Sequence, residues 1–101
     1  MLILGKDRVE AAQKRHANWK GSLGSWVRIV ESVQPPWRNF AAVRLTRKDA
    51  DLVGDCVVFN IAHNDARLIS YIDYRMGTVT VLHVLTHQEY DKGAWKNDCN
   101  C

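Results

Sequence analysis

Residues 56–85 read CVVFNIAHNDARLISYIDYRMGTVTVLHVL, and the spacing of their apolar residues decides the fold class. Cys56–Ile61 is β-branched and aromatic, the composition of a strand, and His63-Asn64-Asp65 after it is a turn signal. From Arg67 to Tyr74 the chain alternates. Leu68, Ser70, Ile72 and Tyr74 fall on one face of an extended segment, and Arg67, Ile69, Tyr71 and Asp73 on the other. Arg75-Met76-Gly77 is a tight connection in which Gly77 can supply positive φ, and Thr78–Leu85 reads as the next strand. Three strands joined by short turns predict an antiparallel meander.

Upstream the period is helical. Met1 to Leu4 reads as a short strand ended by Gly5, after which Asp7, with Glu10 three residues on, fits a capping box. Val9, Ala12, His16 and Trp19 share one helix face, while Arg8, Lys14, Arg15 and Lys20 occupy the other. Gly21 reads as the break and Ser22 as the cap of a second helix, whose stripe is Leu23, Trp26, Val27, Val30 and Val33. Pro35 and Pro36 stop it. Between Trp37 and Asp55 the pattern is weak: a helical turn near Asn39–Arg44, then an irregular connection, with the cations Arg38, Arg44, Arg47 and Lys48. Two stripes need a partner, and a sheet face is the large one available. The expectation is an α+β fold, an N-terminal helical hairpin on one face of a small antiparallel sheet, with the other face free and residues 91–101 a mobile polar tail.

At 101 residues, 47% hydrophobic and 25% charged, the chain has the size and composition of one globular domain rather than a disordered or fibrous chain. Its longest apolar runs, Phe40–Val43 and Cys56–Phe59, are too short to span a bilayer, so no membrane association and a cytoplasmic location are expected. Three cysteines, two of them Cys99 and Cys101 at the polar end, do not read as a disulfide framework. A zinc site from Cys99, Cys101 and a histidine matches no standard spacing, so neither metal nor cofactor is expected. Charge is uneven. Residues 1–50 hold ten Lys and Arg against four Asp and Glu, +6, and residues 51–101 hold four against seven, −3. That asymmetry suits an anionic partner, with a solvated helical surface as the plain alternative.

No Gly-rich phosphate loop, HExxH or nucleophile elbow occurs in the sequence. The concentration of proton-transfer groups is Thr86-His87-Gln88-Glu89-Tyr90-Asp91, where the last strand ends. In a meander the start of the middle strand lies beside the end of the last. Arg67 is therefore expected near Thr86 and His87.

Val57-Val58-Phe59-Asn60-Ile61, Asn64, Arg67-Leu68, Ile72-Asp73-Tyr74, Gly77 and Thr86-His87 with Glu89-Tyr90-Asp91 together resemble the HigB toxin family. The resemblance follows the element order through most of the chain and is strongest from Val53 to Asp91. It implies a RelE/ParE-like fold and a type II toxin–antitoxin toxin, an endoribonuclease that cuts mRNA, typically on the ribosome, and so inhibits translation and growth. It also implies a HigA-like helix-turn-helix antitoxin as partner. In that chemistry the RNA 2′-hydroxyl attacks the adjacent phosphorus, which calls for a base, an acid and cations.

Carried over on matching positions, Arg67 would grip the scissile phosphate, His87 would be acid or base, and Tyr90 would donate a proton, bond the phosphate or stack on a base. Glu89 is a further candidate base, or an orienting or capping group together with Asp91. Each has a plainer reading: Arg67 paired with Asp65 or Asp73, His87 bonded to a backbone carbonyl, Tyr90 plugging the sheet end. Arg44 and Arg75 are candidate phosphate contacts, and Lys14 and Arg15, with Lys20 and Arg28, candidate contacts to ribosomal RNA. Several relatives carry a cation where this chain has Leu82, so His83 or the basic helices would have to supply that charge. Trp19 and Trp26 are expected in the core, leaving Trp37 and Trp95 as the exposed candidates. The competing reading is a non-catalytic RelE/ParE-like module that inhibits translation or a partner enzyme by binding.

Overall fold

A computed structural model describes residues 1–101. Strands β1 (Leu2–Leu4), β2 (Asp51–Val53), β3 (Cys56–Ile61), β4 (Ala66–Asp73) and β5 (Thr78–Thr86) form one sheet in the order β1-β5-β4-β3-β2. The helices are α1 (Lys6–Arg15), α2 (Lys20–Ser32), α3 (Phe40–Thr46) and α4 (His87–Lys92), with short 3₁₀ helices at Ala17–Trp19 and Ala94–Cys99. The α+β class and the β3-β4-β5 meander are those expected. The sheet is mixed rather than antiparallel, because β1 pairs in parallel with β5 at one edge, and β2 extends the other.

The helical hairpin turns earlier than Gly21. α1 ends at Arg15, and Gly21 lies inside α2. Trp19 sets the turn: it is buried, its ring stacks on His16 at 3.8 Å, and its indole N–H donates to Asp65 at 3.3 Å. Nor does Asp7 cap α1. Gly5 precedes it at φ +82°, where a Cβ would lie 2.7 Å from the Val81 carbonyl, so the close pass beneath β5 requires glycine. Asp7 instead sits in the first helical turn, facing the positive end of the helix dipole. Asn39 caps α3 by accepting the Ala42 N–H at 2.9 Å.

Val9, Ala12, Leu23, Trp26 and Val30 pack on Val57, Phe59, Leu68, Ile72, Val79 and Val81. Trp26 meets Phe59 edge-on at 5.5 Å. Ser70, the buried polar residue on this face, donates to the Val57 carbonyl at 2.8 Å and so carries no unpaired group into the core.

The other face is not free, and the expected polar tail is folded against it. Cys56, Val58, Ile69, Trp95 and Cys99 form a second apolar cluster, joined by Val53, Leu82, Leu85 and Tyr90. All four tryptophans are buried, Trp37 and Trp95 included. Cys56 and Cys99 form a disulfide, overturning the expectation of unpaired thiols; Cys101 alone is free. In the chain-entropy view, a bond across 43 residues stabilises the fold by about 4 kcal/mol. A shift of register between Ile69 and Ser70 explains one further detail. Ile69 pairs with His83 but Ser70 with Val81, so Leu82 is an extra residue and packs into the second cluster.

Gly54 makes the C-terminal docking possible. Its φ is +57°, a Cβ there would lie 2.1 Å from the Cys99 carbonyl, and the next amide, Asp55, donates to that carbonyl at 2.8 Å. Gly54→Ala should therefore cost about 1–3 kcal/mol, each kcal/mol lowering the melting temperature by roughly 4–8 °C. Gly21→Ala, in a helix with nothing within 4 Å of the new methyl, should add about 0.5–1 kcal/mol. Thermal unfolding followed by circular dichroism measures both.

Candidate active site

The register of β4 on β5 builds the site. Ala66 pairs with Thr86 and Arg67 with Leu85, so Arg67 stands where β5 ends. α4 begins at once because Thr86 and Glu89 cap it reciprocally: Thr86 Oγ1 accepts the Glu89 N–H at 3.1 Å, and Glu89 Oε1 accepts the Thr86 N–H at 2.9 Å. The bond from the Thr86 amide, chiefly, holds the Glu89 carboxyl below its ordinary range, with Arg15 and His16 at the end of α1 adding to it. Glu89 is thus a capping carboxylate.

One turn into α4, Tyr90 lies across the sheet end. Its ring stacks on Trp95 at 4.9 Å and 14°, and the Trp95 indole N–H donates to the Tyr90 carbonyl at 2.9 Å. Against the same ring sits Arg67, its guanidinium carbon 5.4 Å from the centroid. Arg67 Nη1 donates to the carbonyls of Asn64 at 2.9 Å and Ala66 at 3.1 Å, leaving Nε and Nη2 without a partner in the chain. The Asn64 carbonyl is aimed by an unusual turn, with Ala62, His63 and Asn64 all left-handed at φ 52°, 55° and 76°. Neither Asp65 nor Asp73 pairs with Arg67. Asp65 accepts from Trp19 and Asn18, and Asp73 from the backbone of the β4–β5 turn.

Arg67 and Tyr90 line an open cleft with Arg44, Lys48, Asn60, Asp49 and Asp51. Its acidic wall is partly neutralised: Arg47 donates twice to Asp49, at 2.8 and 3.1 Å, and the Asn60 N–H donates at 2.8 Å. Burial alone would raise the Asp49 carboxyl, but these bonds and the Arg47 charge outweigh it and hold the group below its usual range. Arg47 also lies 5.6 Å from the Phe59 centroid and so belongs to the scaffold. Three cations remain to face the cleft: Arg44, Lys48 and Arg67. Lys48 is the residue that sequence reasoning left among general surface charges; it lies past the end of α3, so no periodic signal in the sequence points it toward the cleft.

His87 opens α4, one turn before Tyr90, half-exposed, with Nδ1 3.0 Å from Asp91 Oδ2. It shares the helix of Tyr90 but does not line the Arg67 cleft. His83 is not brought there either. Its Nε2 is 2.7 Å from Asp98 Oδ2, and it lines a separate cleft with Leu85, Lys92 and Trp95. Arg75 sits in the β4–β5 turn, the whole length of β4 from Arg67, and Lys14 lies on the last turn of α1. No cluster of three metal-ligating side chains is present, and no helix is long and apolar enough to cross a membrane.

The α+β architecture, with helices on a five-stranded mixed sheet, is compatible with a RelE-like toxin fold. Residues 19–93 match the family model HigB_toxin, described as the RelE-like toxic component of a toxin–antitoxin system, and the chain belongs to that family. Membership implies an antitoxin partner. No curated protein matches the chain.

Two titrations test this geometry. Burial, chiefly, and Asp51, Asp91 and Cys101 push the Tyr90 phenol up, while Arg67 opposes them. Arg67→Ala should therefore raise it further, read from phenolate absorbance against Tyr90→Phe; an unchanged curve would mean the guanidinium is not over the ring in solution. A carboxyl depressed in the folded state stabilises above its unfolded pKa and loses that effect as pH falls through the folded one. Asp49→Asn should thus cost about 1–3 kcal/mol near neutrality, a cost that begins to shrink as urea unfolding is repeated below about pH 4.

Proposed function

We propose that this toxin is an endoribonuclease that cuts messenger RNA, on the translating ribosome, and so halts translation and growth in the cytoplasm. A HigA-like helix-turn-helix antitoxin is the partner that would hold it in check. The observation that carries the reading is the arrangement of Arg67: held by two carbonyls, its guanidinium against the Tyr90 ring, with two nitrogens unpartnered beside a cleft that Arg44 and Lys48 also line. A guanidinium fixed in that way suits the paired oxygens of a phosphodiester.

In the reaction, the RNA 2′-hydroxyl attacks its own 3′-phosphorus, the bond to the 5′ oxygen breaks, and a cyclic phosphate and a 5′-hydroxyl result. Arg67, with Arg44 and Lys48, would stabilise the charge that builds on the phosphorane oxygens. Tyr90 would bond that phosphate. His87, its Nδ1 turned to Asp91, lies one turn before Tyr90 and outside the cleft, so its Nε2 would serve in proton transfer only where the bound RNA runs from the cleft across the start of α4. Acid–base chemistry is thereby assigned to the chain's own side chains, without a metal. Lys14, Arg15, Lys20 and Arg28 would add sequence-independent attraction to ribosomal RNA. Requiring a 2′-hydroxyl confines the chemistry to RNA.

A second reading, a module that inhibits translation or a partner enzyme by binding alone, is favoured by one observation. Leu82 is committed to the second apolar cluster, so β5 offers no cation at that position. Mapping of mRNA 5′ ends after expression in cells separates the two. New ends at codon-phased positions should fall about 10²–10³-fold with Arg67→Ala and about 10²–10⁴-fold with His87→Ala. Growth arrest with intact messages would decide for the binding module.

A further inference from the structure

We infer that Cys56 and Cys99 are a thiol–disulfide switch that sets whether the C-terminal segment is latched behind Tyr90, and that small-molecule thiols and disulfides are its reactants. The inference rests on the function proposed above in one respect. A protein that acts on translating ribosomes works among reducing thiols, where a disulfide is conditional rather than permanent.

The bond joins β3 to the end of the Ala94–Cys99 3₁₀ helix, and both cysteines are fully buried. Little else holds that helix. It is six residues long, too short to be stable alone. Beyond the Trp95 indole bond to the Tyr90 carbonyl and the Asp55 amide bond to the Cys99 carbonyl, its polar ties are His83 to Asp98 and, from the adjoining residue, Asn100 to Asp55, both exposed at the surface, where such pairs contribute little. Trp95 is its one large apolar anchor, and Trp95 is the residue on which the Tyr90 ring stacks. The covalent bond therefore governs the wall against which Tyr90, and through it Arg67, is placed. Opening follows fraying of the chain end, which exposes the sulfurs.

A small thiolate then attacks one sulfur, the S–S bond breaks, and the other cysteine leaves as thiolate and takes a proton from water. A second small thiol attacks the mixed disulfide. The protein gains two thiols, and the two small thiols are oxidised to one disulfide. Closure is the reverse, with a small disulfide as oxidant. Latched, the site is ordered and active; opened, Tyr90 loses its backing and cleavage slows.

The test uses Cys101→Ser protein, which leaves only the pair, equilibrated with oxidised or with reduced glutathione. Alkylation and intact mass should count no thiols in the first form and two in the second. Amide exchange over residues 90–99 should be at least about 10-fold faster in the reduced form, with β3 to β5 unchanged. RNA cleavage should be at least about 10-fold faster in the oxidised form, a modest demand for a displaced site group. Cys99→Ser should behave as reduced in both buffers. Equal thiol counts, equal exchange, or cleavage that is measurable and equal in the two forms would each overturn the switch. Exchange that separates the forms while neither cuts RNA would uphold the latch and remove the nuclease reading instead.

Discussion

The pairing of Ala66 with Thr86 is the constraint on which the rest of the molecule depends. It sets Arg67, the first charged residue of β4, opposite Leu85, one residue before the end of β5, and the capping box at Thr86 turns the chain into α4 without an intervening loop. With no slack between strand and helix, Tyr90 has one place to lie, and Arg67 lies against it. A slip of one residue would move Arg67 to the helix-packed face, where a cation has no partner. The hydrophobic residues on both faces of β4 forbid that slip.

Both faces are needed. Trp26, Phe59 and their neighbours hold the helices to one side of the sheet, a core large enough to order the meander. The second cluster is smaller, but it supports the functional edge, since Trp95 backs Tyr90 and Ile69 and Val58 floor the same side. The cleft inherits its charge from the α3 region and its rigidity from this second cluster. Arg47 contributes to the former only indirectly, by quieting Asp49 so that Arg44, Lys48 and Arg67 dominate.

How much of this the sequence discloses depends on distance along the chain. Alternation in Arg67–Tyr74 and a short turn at Gly77 are local signals, and they suffice to place Arg67 beside Thr86. The hairpin stripes are equally local, though the turn is set by Trp19, whose anchor Asp65 is 46 residues away. The second face was beyond reach for the same reason. Trp95 and Cys99 are two apolar residues in a polar stretch, and their partners, Cys56 and Val58, lie some forty residues earlier. β2 is three residues long and β1 pairs in parallel across the length of the chain, so neither the mixed sheet nor its edges has a periodic signature. At the site, the Arg67–Tyr90 contact follows from register, whereas the inclusion of Lys48 and the diversion of His83 to Asp98 depend on how α3 and the C-terminal helix settle.

The left-handed run at Ala62, His63 and Asn64 carries a consequence of its own. Asparagine adopts that geometry readily, but alanine and histidine each give up on the order of 1–2 kcal/mol to do so. Glycine at 62 or 63 would relieve the cost and yield a sturdier protein. It would also make the peptide plane that seats the arginine free to swivel. The loop thus exchanges robustness for a fixed oxygen, which explains how a non-glycine run can persist at the least comfortable corner of the backbone.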